Sequence, residues 1–454
     1  MKKTLVFTFA FSCIFNAQSL FAQHGGTMNH WYFGWFASME FTTGSPVATP
    51  DSDMICEEGS ATMSDEAGNL LFYTNGGGDS NNPWPGGVWN RNHELMPNGD
   101  ITGLTGSDSS PQSSLIIQKS ATEYYLFTIG ASPTPVGVRV SIVDMSLDGG
   151  LGDLTLVGDP VLDPPPSPLA EGMTATEDAE GTGHWLVVHS SSGNTFYVMH
   201  VTPTGISSPT TYNIGSGLHN SGQIKFSVQG DRLAQDDNIF DFDNATGVIS
   251  NPINLGFTNS FGWGGWGRAF SPSGRFFYMG ELGPNGDVFQ YDLMATDIPA
   301  SKVLLGSSSA GVSGPMQLGP DLKIYFSLKE YQSLAAITDP DLPGTSCNFV
   351  SDYVPLTGNS QVSIPNFIDS DLRFAAAGKI SKKQSIILAP NPTGDFLYLS
   401  SDHQSDEPIF IFDLSGKQLS NWSLDGSNKI DVRNLNPGIY LIRQGAASAQ
   451  FVKE

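Results

Sequence analysis

Two glycine-rich, tryptophan-bearing segments hold the side chains best suited to touch a ligand. Residues 77–85 read Gly-Gly-Asp-Ser-Asn-Asn-Pro-Trp-Pro and carry Trp84. Residues 261–268 read Phe-Gly-Trp-Gly-Gly-Trp-Gly-Arg and carry Trp263, Trp266 and Arg268. An indole on a flexible loop either packs or meets a flat partner such as a sugar ring, and a guanidinium beside it adds planar hydrogen bonding. The competing account is packing between neighbouring elements. A second constellation is Asp236, Asp237, Asp241 and Asp243 with Asn238 and Asn244, hard oxygen donors of the kind calcium takes. Their spacing lacks the glycine and terminal glutamate of an EF-hand loop. On a strand, Asp241 and Asp243 share one face and Phe240 and Phe242 the other, so an exposed strand edge explains them as well.

Covalent chemistry is poorly signposted. There is no G-x-S-x-G elbow, no HExxH and no phosphate loop. His184 and His189 are five apart on an apolar strand and face opposite sides. The pairs Glu57/Glu58 and Glu177/Asp178 could serve a glycosidase, but carboxylates are too abundant here for a pair to be informative. No catalytic residue is assigned. No cofactor is required, and calcium is an optional ligand.

The elements that would position these groups repeat. A polar turn followed by a short apolar strand recurs with Leu70, Tyr125, Trp185, Leu233, Phe276 and Ile324 in equivalent places, at spacings of 55, 60, 48, 43 and 48 residues. Most copies are followed by a second strand, such as Val140–Asp144, Phe196–His200 or Val288–Asp292. Periods of this size with several strands each predict propeller blades. Trp31-Tyr32-Phe33-Gly34 resembles an inner-to-middle strand of a blade, so the chain is expected to enter midway through one. Val350–Phe367 is expected to supply the missing strands. Six copies plus one shared blade favour seven blades, with six as the alternative, and sharing a blade removes open sheet edges. The two cysteines beyond residue 22, Cys56 and Cys347, lie near opposite ends of this body, where either a disulfide across the closure or two buried thiols would fit.

Composition agrees with an all-β body. The 51 glycines, 29 prolines and 28 phenylalanines, with 15% charged residues, leave little material for long helices. Residues 23–380 hold 12 basic and 37 acidic side chains, a formal charge of −25, whereas 381–454 hold 7 and 8. That balance repels nucleic acid and anionic surfaces and disfavours acidic polysaccharide without calcium.

The termini carry addresses. Lys2 and Lys3, an apolar run from Leu5 to Phe15, and the small-residue site at Ala22 make residues 1–22 a Sec signal peptide, too short to span a membrane. Cys13 falls inside the apolar run and is not placed for a lipid anchor. At the other end the chain reads Pro390-Asn391-Pro392-Thr393-Gly394, then Asp413-Leu414-Ser415-Gly416-Lys417, then Leu435-Asn436-Pro437-Gly438-Ile439-Tyr440, then Phe451-Val452-Lys453. Short apolar alternations between these turns predict a small sandwich.

This order of motifs resembles the type A C-terminal sorting domain of the Bacteroidetes type IX (Por) secretion system, over residues 388–454. The resemblance implies cargo that passes the inner membrane by Sec and the outer membrane by type IX export, ending secreted or at the cell surface. The body, through segments such as His30-Trp31-Tyr32-Phe33-Gly34, Leu70–Gly76, Val88–His93 and Pro365-Asn366-Phe367, looks like a Bacteroidetes surface propeller family with no defined activity. Three parts are therefore expected after the leader: a propeller over 23–374, a linker over 375–387 and the sorting domain. The functional expectation is a non-enzymatic binding or adhesion module for a glycan or a surface protein. The alternative is a polysaccharide hydrolase or lyase with carboxylates at the channel mouth, and a third reading is a structural surface component.

Overall fold

The computed structural model describes residues 26–78, 84–103, 106–131, 137–216, 222–256, 266–281, 285–308, 313–373, 386–401, 409–413, 418–422, 429–444 and 447–453. The expected leader therefore lies outside the described residues. So do Trp263, Gly416 and nearly all of 375–387. The chain divides into two compact units, 1–373 and 374–454. Among the described residues the only helical elements are short 3-10 turns, and no helix is long and apolar enough to cross a membrane.

The first unit is a seven-bladed β-propeller. Blade 3 is typical: its strands Ser114–Gln118, Glu123–Ile129, Val138–Asp144 and Asp153–Leu162 pair in sequence order as an antiparallel meander. Blades 5 to 7 repeat the pattern, opening at Ile224, Gly267 and Ser313, and blade 4, opening at Leu169, differs in pairing two short strands, Gly205–Ile206 and Thr210–Asn213, with its third strand. Leu70, Tyr125, Trp185, Leu233, Phe276 and Ile324 all fall on second strands, so the repeat marked six successive blades. These strands are sealed on both faces: Phe276–Gly280 and Ile324–Leu328 are buried throughout, whereas the outer strand Val248–Asn254 is mostly accessible. Continuous apolar runs therefore mark the middle of a blade and polar alternation its rim. Between blades 4 and 5, Phe196 meets Phe240 edge-on at 5.1 Å in a cluster with Val187, Phe226 and Leu233.

Ring closure differs from the expected blade sharing. Blade 1 is three-stranded, His30–Phe33, Ala37–Glu40 and Val47–Ala48. Phe349–Pro355 does not complete it, serving instead as the outer strand of blade 7. Closure falls to the segment that follows. Asn359 bridges Trp35 at the end of blade 1, and Ile364–Pro365 pairs in parallel with Gly59–Ser64, the inner strand of blade 2.

From there the chain runs into the ring's interior and plugs it. Asn366 donates to the carbonyls of Ser114 and Met173, in blades 3 and 4, and accepts from Gln112. Asp369 accepts from Gln317 of blade 7 at 2.5 Å and lies 3.5 Å from the Lys225 ammonium of blade 5. Lys225 also donates to Gln317 at 2.6 Å. Arg373 donates to the Val228 carbonyl and pairs with Glu177. The plug thus satisfies inner-strand polar groups that an empty channel would leave to water.

The second unit is a β-sandwich. One sheet holds Ile386–Ala389, Phe396–Ser401 and Lys429–Asp431, and the other Gln418–Trp422, Ile409–Asp413, Gly438–Gln444 and Ala447–Lys453. Leu397, Leu399 and Ile430 of the first sheet pack on Ile411, Ile442 and Phe451 of the second. The terminal motifs meet here: Asn391 Oδ1 accepts from the Val452 amide, Thr393 N donates to the Val452 carbonyl, and Thr393 bridges Lys453. Tyr440 donates to the Asn436 carbonyl at 2.7 Å and stacks on Phe451, which fixes the Pro-Gly turn before Gly438.

Candidate functional site at the upper mouth of the propeller

We call upper the end at which inner strands begin. Second strands run antiparallel to them, so the connections between second and third strands also lie there. In blade 1 that connection carries Trp35 and Phe36, in blade 2 Trp84, and in blade 7 Tyr331, and all four side chains are exposed, at 39%, 50%, 39% and 39%. The four are tied to one frame. Trp35 bridges both Ile55 and Asn359. The Asn75 amide donates to the Ile55 and Pro85 carbonyls, each at 3.1 Å, which holds the Trp84 loop against blade 1. Ser360 N donates to the Tyr331 carbonyl at 2.8 Å. Phe36 (φ 54°) and Glu330 (φ 61°) are held in the left-handed region, costly for such residues and sustained only where the surroundings impose it. Large apolar side chains held outward on a rigid frame mark a contact surface.

Inside this rim sit carboxylates. Trp35 Nε1 donates to Glu57 Oε1 at 3.1 Å. The Glu58 amide donates to the Asp108 carbonyl at 3.0 Å. Burial pushes the Glu58 carboxyl well above the ordinary carboxylate range, and the negative charges of Glu171, Asp108 and Glu57 push it further, against a smaller opposing pull from Lys329. Burial beside Asp108 likewise raises the Cys56 thiol. This environment favours the protonated form of Glu58, the form in which a carboxyl can donate a hydrogen bond.

The candidates from sequence divide sharply. Trp84 stands at this mouth. Trp266 is half-buried, and its indole nitrogen has no hydrogen-bond partner among the described residues. Arg268 is fully buried: it donates to the carbonyls of Asp236 and Gln223 and lies 3.4 Å from the Asp236 carboxylate. It is a brace between blades 5 and 6, not a ligand-facing group. The four aspartates do not converge. Asp236 and Asp237 lie before the strand Asn238–Asp243 and Asp243 at its end, roughly 20 Å away at strand rise. Asp237 accepts from Asn238 and Asn254, Asp241 from Arg232 and Asn251, and Asp243 from Ala245 and Thr246 of its own turn. No cluster of three or more metal-ligating side chains occurs among the described residues. Of the two arrangements open to the cysteines, the structure has the buried thiols and not the disulfide. Cys56 and Cys347 are free and buried in different apolar clusters, with the Cys56 thiol directed at the Gly59 carbonyl at 2.8 Å.

Trp35, Phe36, Tyr331, Asp108 and Glu171 were not singled out from sequence. The usable signal was positional: Trp35-Phe36 directly follows a second strand, where Trp84 also sits relative to its own. A cleft of about 280 Å³ lined by Lys119, Thr182, His184 and Thr202 opens at the lower end, remote from this rim.

Comparison with known proteins bears on both units. The propeller is similar in structure to a putative 6-phosphogluconolactonase from Bacteroides fragilis (11% identity, TM-score 0.46, 74% of this chain and 96% of that one). Similar matches are a putative 6-phosphogluconolactonase from Bacteroides uniformis (12%, 0.46, 72% and 97%) and a protein from Lactobacillus plantarum (14%, 0.46, 74% and 98%). No curated protein matches the chain. Residues 388–454 match the secretion system C-terminal sorting domain. The C-terminal sandwich is thus a type IX (Por) sorting domain, and the chain that bears it is cargo exported to the cell surface or released beyond it.

Proposed function

We propose that the exported propeller is a binding module whose upper mouth takes neutral polysaccharide, with Trp35 and Trp84 as principal contacts. The observation that carries this reading is the row of four exposed aromatic side chains on adjoining blades, braced around a partly buried carboxyl cluster. Aromatic faces suit the C–H faces of pyranose rings, and carboxylates accept from their hydroxyls. The strong negative charge of the body argues against anionic polymers. Covering the exposed part of one tryptophan, about 100 Å² of roughly 250 Å², is worth about 2.5 kcal/mol, or about fiftyfold in affinity.

The test is a glycan array on the exported chain with and without calcium. Trp35→Ala and Trp84→Ala are each expected to weaken retention by about ten- to fiftyfold. Unchanged retention in the double variant would sink the assignment. The gathering of Glu58 with Asp108 and Glu171 supports a second reading, acid–base cleavage of the bound glycan. Product analysis of each retained glycan separates the two, because shortened products that vanish in Glu58→Gln would make the module an enzyme.

A further inference from the structure

The strand Ile409–Asp413 reads Ile-Phe-Ile-Phe, apolar on both faces, as does Gly438–Leu441 with Ile442. Continuous apolar runs belong to strands buried on both sides. The sandwich buries one side only. Ile409, Ile411, Tyr440, Ile442 and Phe451 form its core. The register places the others together on the opposite face: Phe412 is directly across from Leu441, Ile439 across from Val452, and Phe410 lies two residues from Phe412. Ile439, Leu441 and Val452 are exposed at 40%, 43% and 37%, and Phe410 and Phe412 are half-buried. A small exported domain that keeps five apolar side chains on one open sheet face has a face built to be covered.

We propose that this face, Phe410, Phe412, Ile439, Leu441 and Val452, is the surface by which the sorting domain docks onto an apolar patch of a protein of the export machinery. The charge distribution selects this occupant. A second copy would bring a second propeller of formal charge −25 close to the first, and an anionic lipid surface would meet the same repulsion. The sorting segment, with 7 basic and 8 acidic residues, offers no such barrier to a protein receptor. The domain's family is defined by delivery to that machinery.

The test uses the full-length chain in a bacterium with a working type IX system. Ile439→Ser/Leu441→Ser is expected to lower the exported fraction by at least about tenfold, as when two interface anchors are lost, with folded protein accumulating in the periplasm. Undiminished export would overturn the proposal. Thermal melting of the retained protein guards against a folding defect. Ile439→Val/Leu441→Met, which keeps the face apolar, is expected to restore export, and its failure to do so in a chain that melts normally would also overturn the proposal. Photocrosslinkers at 439 and 441 should capture a machinery component. Capture of a second copy alone, or none beyond that at an exposed position outside the face, would refute it.

Discussion

Asp369→Leu strands the Lys225 ammonium in the plugged interior with the Gln317 carbonyl oxygen as its remaining close partner. Both charged groups are buried, and burial is the largest influence on each, pushing Lys225 below and Asp369 above its ordinary range. Desolvation therefore outweighs their mutual attraction, the regime in which losing one partner costs about 3–5 kcal/mol but replacing both with apolar groups is near neutral. For a propeller of roughly 350 residues the unfolding entropy is about 0.7 kcal/mol per degree, so the single change should lower Tm by about 4–7 °C. Lys225→Met/Asp369→Leu should return to within about 1–2 °C of the parent. The assay is calorimetry of the full chain at neutral pH, read as a double-mutant cycle. A single variant that melts with the parent would show that the plug does not bear on ring stability. A double variant less stable than either single would refute the desolvation argument itself.

Two further outcomes follow from the same interior. Cys56 and Cys347 should be silent toward a thiol reagent in the folded chain and both react on unfolding, with gel mobility unaffected by reductant; a reductant-dependent shift would restore the disulfide. His189 is fully buried, its Nδ1 lies 3.0 Å from the Ser190 carbonyl, and burial lowers its pKa to about 4. The folded state then binds fewer protons than the unfolded state between pH 6.5 and 4. The stability of the neutral imidazole is present above that window and lost as pH falls through it, by about 3 kcal/mol. The gap in Tm between parent and His189→Leu should accordingly shift toward the variant as pH falls from 7 to 4, and a gap constant with pH would contradict this.

Much of the architecture was legible because blade middles are sealed on both faces. Leu70, Tyr125, Trp185, Leu233, Phe276 and Ile324 had to be apolar, and their spacing counts the blades. The sorting motifs were legible because Asn391 and Thr393 must meet Val452 and Lys453 across the sandwich. Ring closure was not, because the contacts of Asn366 and Asp369 go to carbonyls and an amide of three blades and to the Lys225 ammonium of a fourth, and no local pattern encodes partners so distant. The mouth was half legible. Trp84 announced itself by its Gly/Pro/Asn surroundings, whereas Trp35, directly after an apolar strand and before a left-handed Phe36, carried no such local mark. Arg268 misled because a guanidinium beside glycines resembles a ligand contact until the carbonyls it braces are known.

Ring closure also sets an order of events in synthesis. Thr49 is bonded to Thr357 across 308 residues, and Gln112 to Asn366 across 254. Closing a loop of about 300 residues costs roughly 5 kcal/mol in chain entropy before any contact is returned, so these bonds form late and slowly. The segment that makes them, 357–373, is translated shortly before the sorting domain at 388–454. A ribosome thus completes the address only after every residue needed to seal the ring has been made. Chains cut short anywhere in the propeller therefore lack both the closing segment and the address.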